Sequence, residues 1–443
     1  MPVHRFHAPV VLPADAECSV IRDGVVDVQD DGRIGYCGPR AEAPPAAGGT
    51  PATKLSGILM PGLVNAHAHS AMTPLRGAGG DLPLISWLND IIWPAEARMR
   101  PEDAHAGMLL GCVEMLQHGI TTSAEMYMHG EAVVHAALTA GSRILLAPAY
   151  FDLPGAGWRS ALAAIDKWID EDGLIFGPGG RVELGYGPHS AYALPVEALR
   201  ATAESAATRG ALVHIHVAES LAEDREQRAA HGSVPRLLAD VGLLDGRLLA
   251  AHAVHLSPRD IRLLADYGAG VAHCPGSNAK LASGIAALTA LRAASVAVGL
   301  GTDGPASNDD LDLWEEMRLA MMLARATTAD PLALTAKGAL LLATRGGAAA
   351  VGRQDIGTLS PGTWADMIHV GVDGPHFAAG LDVPNEQLLA NLVWAAGSRA
   401  VRDVWVAGEQ VVADGEPLRV DRVAAQREVA SASAHILRAE PQD

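Results

Sequence analysis

Cysteine is scarce in this chain: Cys18, Cys37, Cys112 and Cys274 are all there is in 443 residues, with no CxxC pair. So few thiols in so long a chain exclude a disulfide framework and lead us to expect a reducing, cytoplasmic setting. Basic runs are missing as well. Lys and Arg number 33 against 51 Asp and Glu, a net charge of -18, which would repel a phosphate backbone, so nucleic-acid binding is not expected. No stretch of about 18 or more apolar residues occurs, so no membrane span is expected. The opening residues Met-Pro-Val-His-Arg-Phe-His lack the apolar core of a signal segment.

What is present is apolar bulk. Hydrophobic residues make up 49% of the chain, enough for a large core, and the length suits about two or three domains. Residues 1–58 are rich in Val, Gly, Pro and Asp, with short β-like runs such as 24–28 and 33–37, and a Pro/Ala/Gly loop at 41–52. From residue 60 the pattern becomes strand then helix, repeated. Strands are predicted near 60–67, 120–126, 143–149, 181–188, 211–217, 248–253, 270–274 and 297–302. Helices are predicted at 101–117, 131–140, 158–170, 195–208, 222–241, 257–266, 285–294 and 309–326. Near-continuous Val/Ile/Leu/Ala strands alternating with amphipathic helices imply a covered parallel sheet, and eight such units imply a closed (β/α)8 barrel. An open doubly wound sheet would want a Gly-rich phosphate loop after the first strand, where His-Ala-His stands instead. β character returns after 355.

The resulting expectation is an α/β protein. A discontinuous small β-sandwich domain (1–58 and 355–420) accompanies a barrel (59–354) and a C-terminal surface helix (421–443). Neither β segment alone has enough strands to bury a core, so the two are expected to pair.

Polar residues gather at the ends of the predicted strands, where a barrel keeps its chemistry. His67 and His69, two apart on a strand, point to the same side. That spacing alone leaves a metal pair and a solvated surface pair equally open. The fourth strand ends in His189, the fifth carries His214, His216 and then Glu219, the sixth ends in His252 and the eighth in Asp303. Together these outweigh the isolated structural reading of each. His67, His69, His216 and Asp303 make a nitrogen-and-carboxylate shell suited to Zn²⁺ and compatible with Fe²⁺ or Mn²⁺. Such a shell leaves room for a water whose pKa a metal lowers towards ~7. Glu219 could shuttle a proton if burial raises its pKa, or merely cap the next helix. His252 could orient the attacking water and Asp303 take its proton. His214 is expected to support a neighbour or fill the core, and Cys274 to be a small buried residue.

Pro61-Gly62-Leu63-Val64-Asn65-Ala66-His67-Ala68-His69 resembles the first-strand signature of the amidohydrolase superfamily. Within it, Gly187–Ser190, His214–Glu219, Ala251–Leu256, His273–Gly284 and Gly301–Asn308 resemble the branch of 5′-methylthioadenosine/S-adenosylhomocysteine deaminases and related chlorohydrolases. The resemblance runs from about 57 to 415. It implies a barrel with one divalent metal, usually zinc, and hydrolytic deamination of a heteroaromatic ring. Carried over, it makes His67, His69, His216 and Asp303 the ligands, Glu219 the ring-protonating acid and His252 the partner of the hydrolytic water. It makes Trp87, Glu96 and His189 substrate contacts, with Glu96 accepting from the ribose hydroxyls.

Relatives that take S-adenosylhomocysteine have a pair of arginines for its carboxylate. The first would stand where Ala147-Pro148-Ala149-Tyr150 is, and Arg159 matches the second, a substrate contact that could still meet the carboxylate alone. Loss of the pair favours a smaller or uncharged 5′ group, as in methylthioadenosine, 5′-deoxyadenosine or adenosine. The implied substrate is a small-molecule nucleoside, and homo-oligomers are expected. The alternatives are another amino- or chloro-substituted ring, such as a guanine-like base or a triazine, and a catalytically silent scaffold.

Overall fold

The structure, a computed structural model, describes residues 4–46, 49–152 and 157–438. The outermost residues of both expected end segments, 1–3 and 439–443, and part of the 41–52 loop lie outside the described residues.

Eight parallel strands stand side by side in chain order, from Leu63–Ala68 through Ile120–Tyr127, Arg143–Tyr150, Val182–Pro188, Leu212–Val217, Leu248–His252 and Gly270–His273 to Ala297–Leu300. Every residue of Ile120–Tyr127 and of Leu212–Val217 is buried, as strands covered on both faces require. Few backbone pairs link the last strand to the first, and side chains complete that seam. The Asp303 amide donates to the His67 carbonyl at 2.9 Å, and Asn65 holds Thr302 twice, Nδ2 to Oγ1 at 2.7 Å and Oδ1 from the Thr302 amide at 3.0 Å. A Cβ at Gly301 would sit 2.9 Å from the Cβ of His67 and 3.0 Å from Cys274 Sγ, so glycine permits this approach.

The helices start and stop where local chemistry dictates. Pro258–Tyr267 opens with a reciprocal cap between Ser257 and Asp260, carries proline in its first turn, buries Ile261 and Leu264, and ends at Gly268 with φ 69°. The helix expected at 222–241 is two, Leu221–His231 and Val234–Asp240. Gly232 ends the first and the Ser233 hydroxyl caps the second. The helix expected from 309 begins at Leu313 because Asp312 caps it, and the one expected at 285–294 shortens to Leu288–Ala293. A helical stretch not foreseen in the sequence, Leu84–Glu96 with a π-helical turn at Leu88–Ile92, follows the first strand.

The strands of the two chain ends join in one nine-stranded sheet, where Ile58–Pro61 pairs antiparallel with Met367–Val370. By hydrogen bonding it is a single mixed sheet rather than two. It is nevertheless folded over: Phe6 and Trp405 are three strands apart, ~14 Å in a flat sheet, yet their ring centroids are 5.0 Å apart. A buried bidentate pair ties this sheet to the barrel, with Arg143 donating to both oxygens of Asp366 at 2.7 and 3.0 Å. The terminal helix Arg422–Ile436 buries Ala425, Ala432 and Ile436, and Arg98 Nε donates to the Ile436 carbonyl at 2.9 Å. Among the described residues no helix is long and apolar enough to cross a membrane.

Candidate active site

The strand ends at one rim carry unusual backbone. Ala218, His252, Ala253 and Asp303 all have left-handed φ, at 48°, 69°, 51° and 60°. None is glycine, so each costs conformational energy that surrounding contacts must offset, and such residues cluster at functional sites.

His67, His69, His216 and Asp303 converge there. Asp303 Oδ1 lies 3.3 Å from Nε2 of both His67 and His69, and His69 Nε2 is 3.3 Å from His216 Nε2. Each imidazole is oriented through its other nitrogen. His69 Nδ1 donates to the Met126 carbonyl at 2.5 Å and His216 Nδ1 to the His189 carbonyl at 2.8 Å. His67 Nδ1 is hydrogen-bonded to His214 Nε2 at 2.8 Å. His214 therefore sits behind His67, deep in the barrel, with no exposure. Ser277 Oγ donates to Asp303 Oδ2 at 2.5 Å.

This donor set fits a divalent cation. His67 Nε2 is fully buried with no hydrogen-bond partner. Burial draws the His67 imidazole down to about 3 and that of His216 well below its ordinary value, so both are neutral. Burial alone would raise Asp303, but the His67 ring 3.3 Å away and the surrounding histidines carry it well below the carboxylate range. Neutral imidazole nitrogens held through their far side, facing one ionised carboxylate, are what such an ion takes as ligands.

Beside this group, Glu219 is 5% exposed, and its Oε1 lies 3.9 Å from His252 Nε2. Burial raises the Glu219 carboxyl above its ordinary range. Burial lowers His252, but Glu219, Asp303 and the bond from its Nδ1 to Asn278 Oδ1 outweigh that and raise it. Ser220, not Glu219, caps the helix that follows.

These groups line a cleft of about 610 Å³, partly open to solvent, whose wall also includes Trp87, Glu96, Tyr127, Phe151, His189 and Tyr192. Trp87 is 4% exposed and its indole nitrogen donates to the Ala78 carbonyl at 2.9 Å. Burial lifts Glu96 to about 6 against a hydrogen bond from Tyr127. His189 packs against His216 with ring centroids 4.5 Å apart and the rings tilted by 38°.

Arg159 is the exception among the expected substrate contacts. It is absent from the cleft wall, its guanidinium lies over Trp158 and donates to Glu197 at 2.7 Å, and both partners of that pair are about two-thirds exposed. It stands in the first turn of Trp158–Asp172, where the helix direction carries it outward. Sequence reasoning left Tyr127, Phe151 and Tyr192 unassigned, since lone aromatics read as core. Ser277 and Asn278 lie in the His273–Gly284 motif, but their spacing alone gives them no role.

The amidohydrolase family model matches residues 58–411, and the chain belongs to that family. It is 42% identical over 415 residues to the 5-methylthioadenosine/S-adenosylhomocysteine deaminase of Pelotomaculum thermopropionicum, covering 93% of each chain. Among solved structures it is similar to an adenosine deaminase from Xanthomonas campestris with bound zinc, at TM-score 0.90 and 34% identity over 98% of each chain. It is also similar to atrazine chlorohydrolase from Arthrobacter aurescens complexed with zinc. That match has TM-score 0.86 and 25% identity over 98% of this chain and all of the other (100%).

Proposed function

We propose that this protein is a metal-dependent hydrolytic deaminase that converts an adenosine-type nucleoside to its inosine-type product and ammonia. The observation that carries the reading is the convergence on one cleft of the His/Asp cluster, buried Glu219, and the Trp87 and Glu96 pair. In this reading His67, His69, His216 and Asp303 hold the ion, with Zn²⁺ first and Fe²⁺ or Mn²⁺ tolerated. Such an ion supplies a water acidic enough to serve as hydroxide near neutral pH.

The chain's own groups do the rest. His252 orients the attacking water, and Asp303 accepts the proton that water gives up. Glu219, whose carboxyl pKa burial raises, protonates the ring nitrogen beside the attacked carbon, so charge does not build on the ring. Asp303 passes its proton to the amino group, which leaves as ammonia, and the hydroxyl proton released as the carbonyl forms reloads Glu219. Trp87 offers an apolar face and Glu96 accepts from the two ribose hydroxyls, while His189 makes a further substrate contact.

The cleft wall contains carboxylates and histidines but no Arg or Lys among the described residues. That supports an uncharged 5′ substituent, as in methylthioadenosine, 5′-deoxyadenosine or adenosine, over the amino-acid carboxylate of S-adenosylhomocysteine. The chain's wider organisation is part of the same reading: a β-domain of 1–58 and 355–420, a catalytic barrel of 59–354, a terminal helix of 421–443, a homo-oligomer in the cytoplasm, and no nucleic-acid partner. The deciding experiment is kcat/KM across those four nucleosides, with guanine and a chlorotriazine as controls, followed by ammonia or chloride release. Turnover of a control with none of the nucleosides would overturn the assignment.

A further inference from the structure

One buried carboxylate takes no part in the proposed chemistry. Glu316, on the helix Leu313–Thr328, is 2% exposed and makes no ion pair among the described residues. Its Oε2 accepts from the Gly276 amide and its Oε1 from Asn308 Nδ2, both at 2.9 Å. Burial pushes its carboxyl up to about 8. A group so costly to bury needs a compensating task.

Gly276 opens the short turn of helix Pro275–Lys280, and the next two residues reach the site. Ser277 Oγ donates to Asp303 Oδ2 at 2.5 Å, while Asn278 Oδ1 accepts from His252 Nδ1 at 3.0 Å. The first bond leaves Asp303 Oδ1 facing His67 and His69; the second leaves His252 Nε2 facing Glu219. The packing around the clasp is tight. A Cβ at Gly276 would lie 2.3 Å from both Glu316 Oε1 and Asn308 Oδ1.

We propose that Glu316 is a positioning residue: it clasps the Gly276–Asn278 turn, and that one turn sets Asp303 and His252 together. The proposal rests on the reading of those two residues as active groups. Replacing Glu316 by Ala strips the Gly276 amide and the Asn308 side chain of a buried acceptor, so the turn moves to find another. Gln in its place keeps an acceptor for Gly276 and, with the Asn308 amide turned, a bond there too.

The test uses the full-length, zinc-loaded enzyme and the variants Glu316→Ala, Glu316→Gln, Ser277→Ala, Asn278→Ala and Glu316→Ala with Asn278→Ala. Glu316→Ala should lower kcat by about 10- to 100-fold with KM within about threefold, and Glu316→Gln should restore most of it. The double variant should lose little beyond the worse single one, because both changes act through one turn. Zinc release to a chelator should quicken roughly 10-fold in Glu316→Ala and Ser277→Ala but not in Asn278→Ala, which holds only His252. If Glu316→Ala does not fold, Asn308→Ala removes one clasp bond and the same coupling and zinc release are read there. Wild-type kcat in the clasp variants, losses that multiply independently, or unchanged zinc release would overturn the proposal. Zinc release needs no substrate, so a wrong substrate assignment leaves that arm standing.

Discussion

At Glu219 burial shifts a common side chain towards its protonated form. On a surface it would be ionised at neutral pH; at 5% exposure its carboxyl is raised and can give a proton. Glu219→Gln is expected to keep its metal, measured by elemental analysis, and to lose activity by about 10²- to 10⁴-fold. Full activity in that variant would remove the acid from the mechanism. The role proposed for Glu96 needs the opposite protonation state, since only the carboxylate would accept from both ribose hydroxyls. With its value at about 6, acidification through that pH protonates it, so KM should rise below pH 6 while a Glu96→Gln enzyme shows a raised KM with no such inflection. A lost charged hydrogen bond of about 1.5–3 kcal/mol puts that KM increase at roughly 10- to 100-fold.

Among the elements, the segment Ser70–Leu75 after the first strand is wholly buried, and it starts directly behind His69. Glu125 on the second strand anchors it, accepting from the Ser70 amide at 2.9 Å and from Ser70 Oγ at 2.6 Å. The adjacent Met126 carbonyl orients His69, so one strand end fixes both the segment and the imidazole. Glu125→Ala leaves two buried donors unpaired, at about 1–3 kcal/mol each. It should show lower unfolding stability and lower zinc content, and Glu125→Gln should recover much of both. Zinc content equal to wild type in the Ala variant would detach Glu125 from the site. The helical stretch Leu84–Glu96 was invisible in the sequence because its regular pattern is broken by Pro94 and a π-helical turn, yet it sets Trp87 and Glu96 on the cleft wall.

For the whole molecule, the Arg143–Asp366 pair is the joint between barrel and end sheet, with side-chain exposures of 0% and 2%. Asp366 also accepts from the Ala407 amide at 2.7 Å, so it binds both bodies. Removing one member of a buried pair strands the other charge, so Asp366→Ala should cost about 3–5 kcal/mol in urea unfolding. KM of the folded enzyme should stay near wild type, because the joint lies at the far end of the barrel strand from the cleft. A stability loss under 1 kcal/mol, taken as about the worth of an exposed pair, would show the joint to be dispensable.

The strand–helix alternation and the rim residues were legible in the sequence for a local reason. Buried strands are apolar throughout, helices carry their caps beside them, and a barrel puts strand ends at one rim whatever the loops do. His67, His69, His216, Glu219, His252 and Asp303 could thus be grouped without coordinates. Long-range geometry was not legible. That Arg159 turns out to solvent, that the paired end strands make a single sheet folded on itself, and that Glu316 holds a turn reaching both Asp303 and His252 all depend on contacts between distant segments. Periodicity and spacing report which way a side chain faces within its own element; only the packed structure determines what stands opposite it.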